Sequence, residues 1–439
     1  MTELDTLLAG DAYQGYAYSY PHKTAHRVLP HSVRLDQLWA SERRTSLLLY
    51  FHIPFCQSRC GYCNLFSQAE LNREFIDVYL GALQRQAQAT QKALGEFSVA
   101  RMAIGGGTPT LLSERELERL FHLARNTLGL APDSVPCSVE TSPATATRTK
   151  LALLRQLGVS RLSLGVQSFI NAENAAVGRR ENARDAHAAL TTAKELQFSV
   201  LNVDLIYGLP GQCPQTWTES LRGALMYQPE ELYLYPLYVR PRTAMGQSNS
   251  FWPDIRQQLY GMGRDILCAA GYRQISMRMF QLRAAESSRA PQYCCQEDGM
   301  IGLGCGARSY TRALHYSWPY AVSCNGVRSV LKDYADRTER EFEVASYGYQ
   351  LDAEDQRRRY LIQSLLMIDG LFLQAYRDRF DLEAIADFRE LRILSERGLA
   401  REEDGRLHLT QPGIDKSDVI GPWLYSGKVR KLMESFQWS

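Results

Sequence analysis

Short apolar runs recur along the first half of the chain, each followed by a longer stretch whose apolar positions return every three or four residues. The runs 46–53 (SLLLYFHI), 97–104, 137–140, 162–167, 201–207 (LNVDLIY) and 232–237 predict buried strands by length and composition. The stretches 70–94, 114–128, 147–157, 183–195 and 216–227 carry helical periodicity. Ser113 and Glu116 form a capping-box pair at the head of one of them. Six strand–helix units in succession predict an α/β fold on a parallel sheet, either a barrel or a doubly wound sheet.

The pattern changes after residue 240. A helix is predicted over 252–270 and one return strand over 272–280 (YRQISMRMF). The segment IGLGCGARSY, 301–310, has alternating glycines, which implies backbone pressed against a ligand or another strand. A long helix over 352–367, an amphipathic stretch through 394 and the strand-like GRLHLT resemble helix, helix and wing. A small capping domain is the expectation there, since mixed charge argues against nucleic acid. Trp423, Tyr425 and Trp438 in the tail are expected to cover apolar surface. Residues 1–44 read as an irregular arm broken by Pro21 and Pro30, either a lid or a surface strap. The expected division is an arm at 1–44, the strand–helix region at 45–245, an extension lining the substrate site at 246–345 and a mostly helical cap at 346–439.

Composition narrows the class. With 439 residues, 45% hydrophobic and 22% charged, the chain is long enough for several domains around a large core. A net charge of +2, without a basic stripe, gives no footprint for nucleic acid. The first residues, MTELDTLLAGDAYQ, lack a signal peptide's basic and apolar regions, and no apolar run reaches membrane-spanning length. A cytoplasmic protein is expected. In a reducing compartment ten cysteines point to metal binding or free thiols, not to disulfides.

The chemistry concentrates where the predicted strands end. The stretch FHIPFCQSRCGYCNLF places Cys56, Cys60 and Cys63 as C-x3-C-x2-C directly after the first strand. Three thiolates can hold three irons of a [4Fe-4S] cube and leave the fourth open to a ligand. Zinc sites more often use C-x2-C pairs with a second pair elsewhere, which this chain lacks. The open iron is what reductive cleavage of S-adenosylmethionine needs, and the motif, with Tyr62 before the third cysteine, resembles the radical S-adenosylmethionine superfamily. Gly105-Gly106-Gly107-Thr108-Pro109-Thr110 follows the second strand and lets backbone amides approach a ligand. Glu140, Gln167 and Asp204 end later strands, where a parallel sheet places its site. Asp204 lies inside an apolar run and needs a partner. Cys294, Cys295 and Cys305 invite a second metal site, but their spacing is not a standard cluster pattern.

YFHIPFC, GGGTPT, Glu140, GVQSF, DLIYGLPGQ and IGLGCGARS together resemble the coproporphyrinogen-oxidase-like branch of that superfamily, over most of residues 45–310. The stretches YSYPHKTAHR and YCCQEDGMIGLGCGARSY are most similar to the anaerobic haem-degrading methyltransferases of the ChuW/HutW group. The resemblance implies a partial (β/α)6 radical SAM barrel with an N-terminal arm and a winged-helix-like C-terminal domain. It implies one [4Fe-4S] cluster on Cys56, Cys60 and Cys63, and two molecules of S-adenosylmethionine. Tyr50, Gly106 and Glu140 would touch the cluster-bound molecule; Tyr62, Gly107, Thr108, Gln167, Arg179 and Asp204 match the positions for the second. Haem is then the expected substrate, with His22, His26 and Arg308 as contacts. The expected reaction is radical methylation of a meso carbon with ring opening and iron release, Cys294 or Cys295 donating hydrogen or packing inertly. Reduced flavodoxin or a similar donor would supply electrons, and a tetrapyrrole-binding or reductase protein would act downstream. Two related outcomes stand beside it: haem carriage without degradation, and oxidative decarboxylation of coproporphyrinogen III. Asn64 stands where the oxidase typically has a further cysteine, and the chaperones lack that cysteine too.

Overall fold

The structure is a computed structural model describing residues 3–17, 19–69, 73–130, 135–248, 251–283 and 298–438. Among the described residues thirteen strands form one sheet. In chain order they are β1 (Arg27–Arg34), β2 (Leu47–Ile53), β3 (Val99–Gly106), β4 (Cys137–Thr141), β5 (Val159–Gln167), β6 (Val200–Tyr207), β7 (Glu231–Pro236), β8 (Tyr272–Gln274), β9 (Met279–Leu282), β10 (Met300–Leu303), β11 (Arg308–Tyr310), β12 (Leu314–Ser317) and β13 (Val344–Gln350). Their order across the sheet is β1-β13-β12-β11-β10-β2-β3-β4-β5-β6-β7-β9-β8. The run β2 to β7 is parallel throughout, as its strand–helix alternation requires. This is the six-unit α/β fold expected from the pattern.

Alternation along these strands fixes what the two faces carry. Leu49, Phe51, Ile104, Val139, Leu162, Leu164, Val203, Leu205, Leu232 and Leu234 point outward and are at most 1% exposed. Each contributes roughly 1.5–3 kcal/mol by leaving water. The register sets Gly302 beside Tyr50, Glu140 beside Ser163, Gly165 beside Asp204 and Asp204 beside Tyr233. Directly paired residues share a face, so Tyr50, Glu140, Asp204 and Tyr233 line the opposite, concave one. Past β10 the same face continues through the pairs Tyr310–His315 and Arg308–Ser317.

Two local expectations change. The first 44 residues are not irregular throughout: they hold a helix (Glu3–Ala9), the edge strand β1 and a second helix (Leu35–Ala40). The expected return strand 272–280 is a hairpin, β8 pairing antiparallel with β9. The alternating glycines press against protein, one of the two contacts expected of them. A Cβ on Gly302 would lie 2.1 Å from the Arg308 carbonyl oxygen, and one on Gly306 2.6 Å from the His52 ring. The capping box at Ser113 and Glu116 forms as expected, although that helix gives way to a π turn at Leu123–Thr127. The C-terminal unit has the helix Ala353–Leu365, short helices and a wing of Leu371–Phe372, Ala400–Glu403 and Arg406–Leu409. Trp423 and Tyr425 are buried in it, and Trp438 packs on Tyr320 and Phe436. No described helix is long and apolar enough to cross a membrane.

Candidate functional site

Pro54 ends β2 and the chain turns into the cysteine loop. Phe55–Cys56 pairs in parallel with Gln68–Ala69, closing the loop that carries Cys60 and Cys63. The glycine turn after β3 grips it from one side: the Gly107 amide donates to the Ile53 carbonyl at 2.8 Å and the Thr108 amide to Phe55 at 2.7 Å. The Gly61 amide donates to Val177 at 2.7 Å from the other side. A Cβ on Gly107 would fall 2.6 Å from the Phe55 oxygen and 2.9 Å from Cys56 Sγ, so only glycine fits this approach. Cys56 Sγ accepts from Thr108 Oγ1 at 3.7 Å, and Cys60 Sγ from Arg179 Nη1 at 3.7 Å.

Burial pushes the Cys56 thiol up to about 12 and raises that of Cys60. A thiol so desolvated ionises only beside a strong positive charge, which ligation to iron supplies. Among the described residues no three His, Cys, Asp or Glu side chains are placed to hold a single metal ion. A cube takes each thiolate on a different iron, so the three thiols need not converge on one ion. The loop fits an iron–sulfur cube. Of the cysteines that invited a second metal site, Cys305 is buried in the core cluster, and Cys294 and Cys295 lie outside the described residues.

His52 was hidden inside the apolar run of β2. Its Nε2 donates to the Phe66 carbonyl at 2.8 Å and its Nδ1 accepts from the Tyr50 hydroxyl at 3.2 Å, which fixes the tautomer. Burial lowers it to about 4, so it stays neutral. It ties the end of the cysteine loop to Tyr50.

Glu140 accepts from the Gly106 amide at 3.0 Å. Its side chain keeps exposed surface although protein surrounds it, as expected at the floor of a hollow. Desolvation raises it to about 7 against the Gly106 hydrogen bond, and Asp204 pushes it further the same way. Asp204 finds its partners in Asn202 Nδ2 at 2.8 Å and Ser163 Oγ at 3.4 Å. Burial raises it as well. Arg179 spans from Cys60 to the Gly165 carbonyl and faces Glu181 at 3.6 Å. Gln167 sits in the left-handed region, φ 70°, with its amide over Gly165. Tyr62 packs against the apolar patch of Val177, Ile206, Leu209 and Leu237. The predicted residues thus gather in two groups at the strand ends, one around Cys56, Gly107 and Glu140, the other around Cys60, Arg179 and Asp204.

The tyrosines of β7 add to the site. Tyr233 and Tyr235 stack with centroids 5.8 Å apart and planes 19° apart, and Tyr16 from the arm meets Tyr235 edge-on at 6.4 Å. The alternation in ELYLYP is the signal that marks both as facing the hollow. Arg308 Nη1 donates to Ser19 of the arm at 3.0 Å. His26 is fully buried, with Nδ1 2.8 Å from Ser317 Oγ and Nε2 unpartnered. Burial first, then Arg308 and Arg27, lower it to about 3. His22 is half-buried at the arm's turn, and burial with Lys23, Arg308 and Arg240 lowers it too.

A parallel half-barrel with three thiols on the loop after its first strand defines a radical S-adenosylmethionine protein. The model of the Radical SAM superfamily matches residues 50–223, and that of the HemN C-terminal domain matches residues 351–415. The chain is 30% identical to the oxygen-independent coproporphyrinogen III oxidase of Pseudomonas aeruginosa, over 84% of this chain and 82% of that protein. It is 28% identical to the heme chaperone HemW of Bacillus subtilis, over 85% and 98% respectively. The solved structure of HemN, the coproporphyrinogen III oxidase of Escherichia coli, superposes with a TM-score of 0.81 at 24% identity, covering 94% of this chain and 97% of that one, and shows the fold. The chain belongs to the HemN-like family of radical SAM proteins, which unites these oxidases and chaperones.

This finding overturns the expectation of haem degradation by radical methylation. The relatives reported above are named heme chaperone or coproporphyrinogen III oxidase. The stretches that pointed to degradation do structural work or lie out of view. In YSYPHKTAHR, Tyr20 donates to Asp355 at 2.5 Å, and Thr24, Ala25 and His26 are buried, so the segment encodes docking of the arm. YCCQE falls outside the described residues.

Proposed function

We propose that this protein carries haem, as a chaperone of the HemW type, above a radical S-adenosylmethionine site. The observation that carries the reading is Asn64. It follows the third cluster cysteine, where the oxidase typically has one more thiol, and its carbonyl is pinned by the Tyr320 hydroxyl. The matching chaperone, which the chain spans almost entirely, supports the same reading. When bound, a cluster on Cys56, Cys60 and Cys63 supplies the electron that cleaves S-adenosylmethionine. The chain's own residues orient that cofactor: Glu140 and the Gly106 amide at one end, Tyr50 held by His52 beside the loop. Arg179 shields Cys60, and stacked Tyr233 and Tyr235 offer an apolar floor to a planar macrocycle. His22 is the imidazole assigned to haem.

Coproporphyrinogen III oxidation is the second reading, favoured by the match to the Pseudomonas enzyme. In it Tyr62, Gly107, Thr108, Gln167, Arg179 and Asp204 take a second S-adenosylmethionine. Anaerobic titration of the reconstituted full chain with haem, followed by absorbance, tests the first reading. Saturable binding that weakens in His22→Ala, with haem recovered intact after incubation with S-adenosylmethionine and reductant, is expected. Release of carbon dioxide from coproporphyrinogen III under the same conditions would replace the carrier by the oxidase.

A further inference from the structure

Pairing between β3 and β4 stops short of the site. Its last register pair sets Ile104 beside Val139, whereas β2 keeps pairing with β3 as far as Gly106 and β4 with β5 as far as Thr141. The contact that joins the two strand ends lies beyond that point: the Gly106 amide donates to Glu140 Oε2 at 3.0 Å. The ends also sit close, since a Cβ on Gly105 would fall 2.7 Å from the Glu140 carboxyl carbon. Backbone pairing alone therefore does not fix where Glu140 stands against the glycines.

Hydroxyls continue where the ladder ends. Thr110, in the turn Pro109–Leu111 after the glycines, is fully buried. Its Oγ1 lies 2.6 Å from Thr141 Oγ1 and 2.6 Å from Thr145 Oγ1. Thr145 Oγ1 donates in turn to the Ser142 carbonyl at 3.2 Å and lies 3.1 Å from Ser142 Oγ. Thr141, Ser142 and Thr145 belong to the end of β4 and the turn after it, so Thr110 is the link from the β3 side. A hydroxyl has one proton and two acceptor sites, so Thr110 donates to one threonine and accepts from the other. Out of water, bonds chained in this way strengthen one another. Lys150, from the helix Arg148–Gln156, grips the same turn by donating to the Thr110 carbonyl at 2.7 Å. Alternation sends the Thr141 side chain to the outer face while Glu140, one residue earlier, lines the concave one.

We infer that Thr110 is a positioning residue: its hydroxyl takes over from the β3–β4 ladder and sets Glu140 against the Gly106 amide. This rests on the cofactor reading of Glu140 above and deepens it, by naming what holds the carboxylate in place. Of the groups that act on Glu140, Asp204 favours its protonation, while the Gly106 bond and Arg161 oppose it. Loosening the knot weakens the Gly106 bond and moves protonation of Glu140 to higher pH.

The test compares full-length wild type with Thr110→Val, which keeps the shape and loses both bonds, and Thr110→Ser, which keeps the hydroxyl. Hydrogen exchange of the chain without cofactor, read by mass spectrometry, follows the amides of residues 104–108. They are expected to exchange severalfold faster in Thr110→Val and close to wild type in Thr110→Ser. Equilibrium dialysis of the reconstituted protein with S-adenosylmethionine across pH is the second readout. Thr110→Val is expected to bind about tenfold more weakly at about pH 7, with the midpoint of its pH dependence moved up, and Thr110→Ser to restore both. Equal exchange in wild type and Thr110→Val overturns the inference, as does wild-type affinity and midpoint in Thr110→Val. Loss shared by both variants with the midpoint unmoved marks a general structural role and also overturns it. A wild-type affinity flat in pH removes Glu140 from the cofactor. The knot is then decided by exchange alone: faster in Thr110→Val and restored in Thr110→Ser upholds it, and no difference strikes it.

Discussion

At the scale of single residues the site is governed by carboxylates held against their solvation preference. Glu140 has one amide donor and the charge of Asp204 nearby, and its ordinary acidity is shifted up to about 7. A cationic amino group on bound S-adenosylmethionine favours the ionised form and competes with the proton. Affinity is therefore expected to fall as pH drops below about 7, approaching tenfold per pH unit. Equilibrium dialysis across this range checks it: Glu140→Gln should bind weakly at every pH, and a wild-type affinity flat in pH would remove Glu140 from the cofactor. The stability sign is opposite. A carboxyl raised in the folded state favours folding while protonated, so its contribution fades as pH rises through about 7. Glu140→Gln should then melt higher than wild type at about pH 8 and no higher at about pH 5.

At the scale of elements, the cysteine loop depends on backbone contacts as much as on thiols. Gly107→Ala puts a methyl 2.6 Å from the Phe55 oxygen and 2.9 Å from Cys56 Sγ, so the loop must move. The expected result is iron well below about four per chain after reconstitution, with little change in global melting. Gly261→Ala in the helix Arg256–Ala269 meets open space and should stabilise by about 0.5–1 kcal/mol. Full iron loading in Gly107→Ala would show that the loop tolerates the shift. The six parallel strands were legible because helices and sheet bury their apolar runs, and the cysteines because their spacing is itself chemistry. Strand β1 was not: RVLPHSVR reads as polar and contains Pro30, which an edge strand tolerates. The β8–β9 hairpin was missed because its turn, Ile275 to Arg278, contains neither glycine nor proline. His52 was masked by its apolar neighbours. The reaction was misread because the buried part of the stretch from Tyr20 to His26 records how the arm packs, which says nothing of the chemistry.

At the scale of the whole molecule, three distant parts of the chain meet at one buried charge pair. Arg278, from the turn between β8 and β9, is 3% exposed, and Asp418, from the C-terminal unit, is 1% exposed. They approach to 2.5 Å, and the Tyr238 hydroxyl bonds to both. The arm joins them: Tyr16 lies under Arg278, and the Gly15 amide donates to the Asp418 carbonyl at 3.3 Å. Removing one partner leaves a charge buried without its counterion, which costs more than the pair contributes. Asp418→Ala is expected to destabilise the first unfolding transition by about 3–5 kcal/mol. The double variant Arg278→Met with Asp418→Leu fills similar volume without charge and should recover most of that loss. If the pair also holds the arm, Asp418→Ala alone will open residues 10–20 to limited proteolysis under native conditions. A loss below about 1 kcal/mol, the range of exposed pairs, together with an uncut arm, would show that the C-terminal unit and the arm are held to the half-barrel by apolar packing instead.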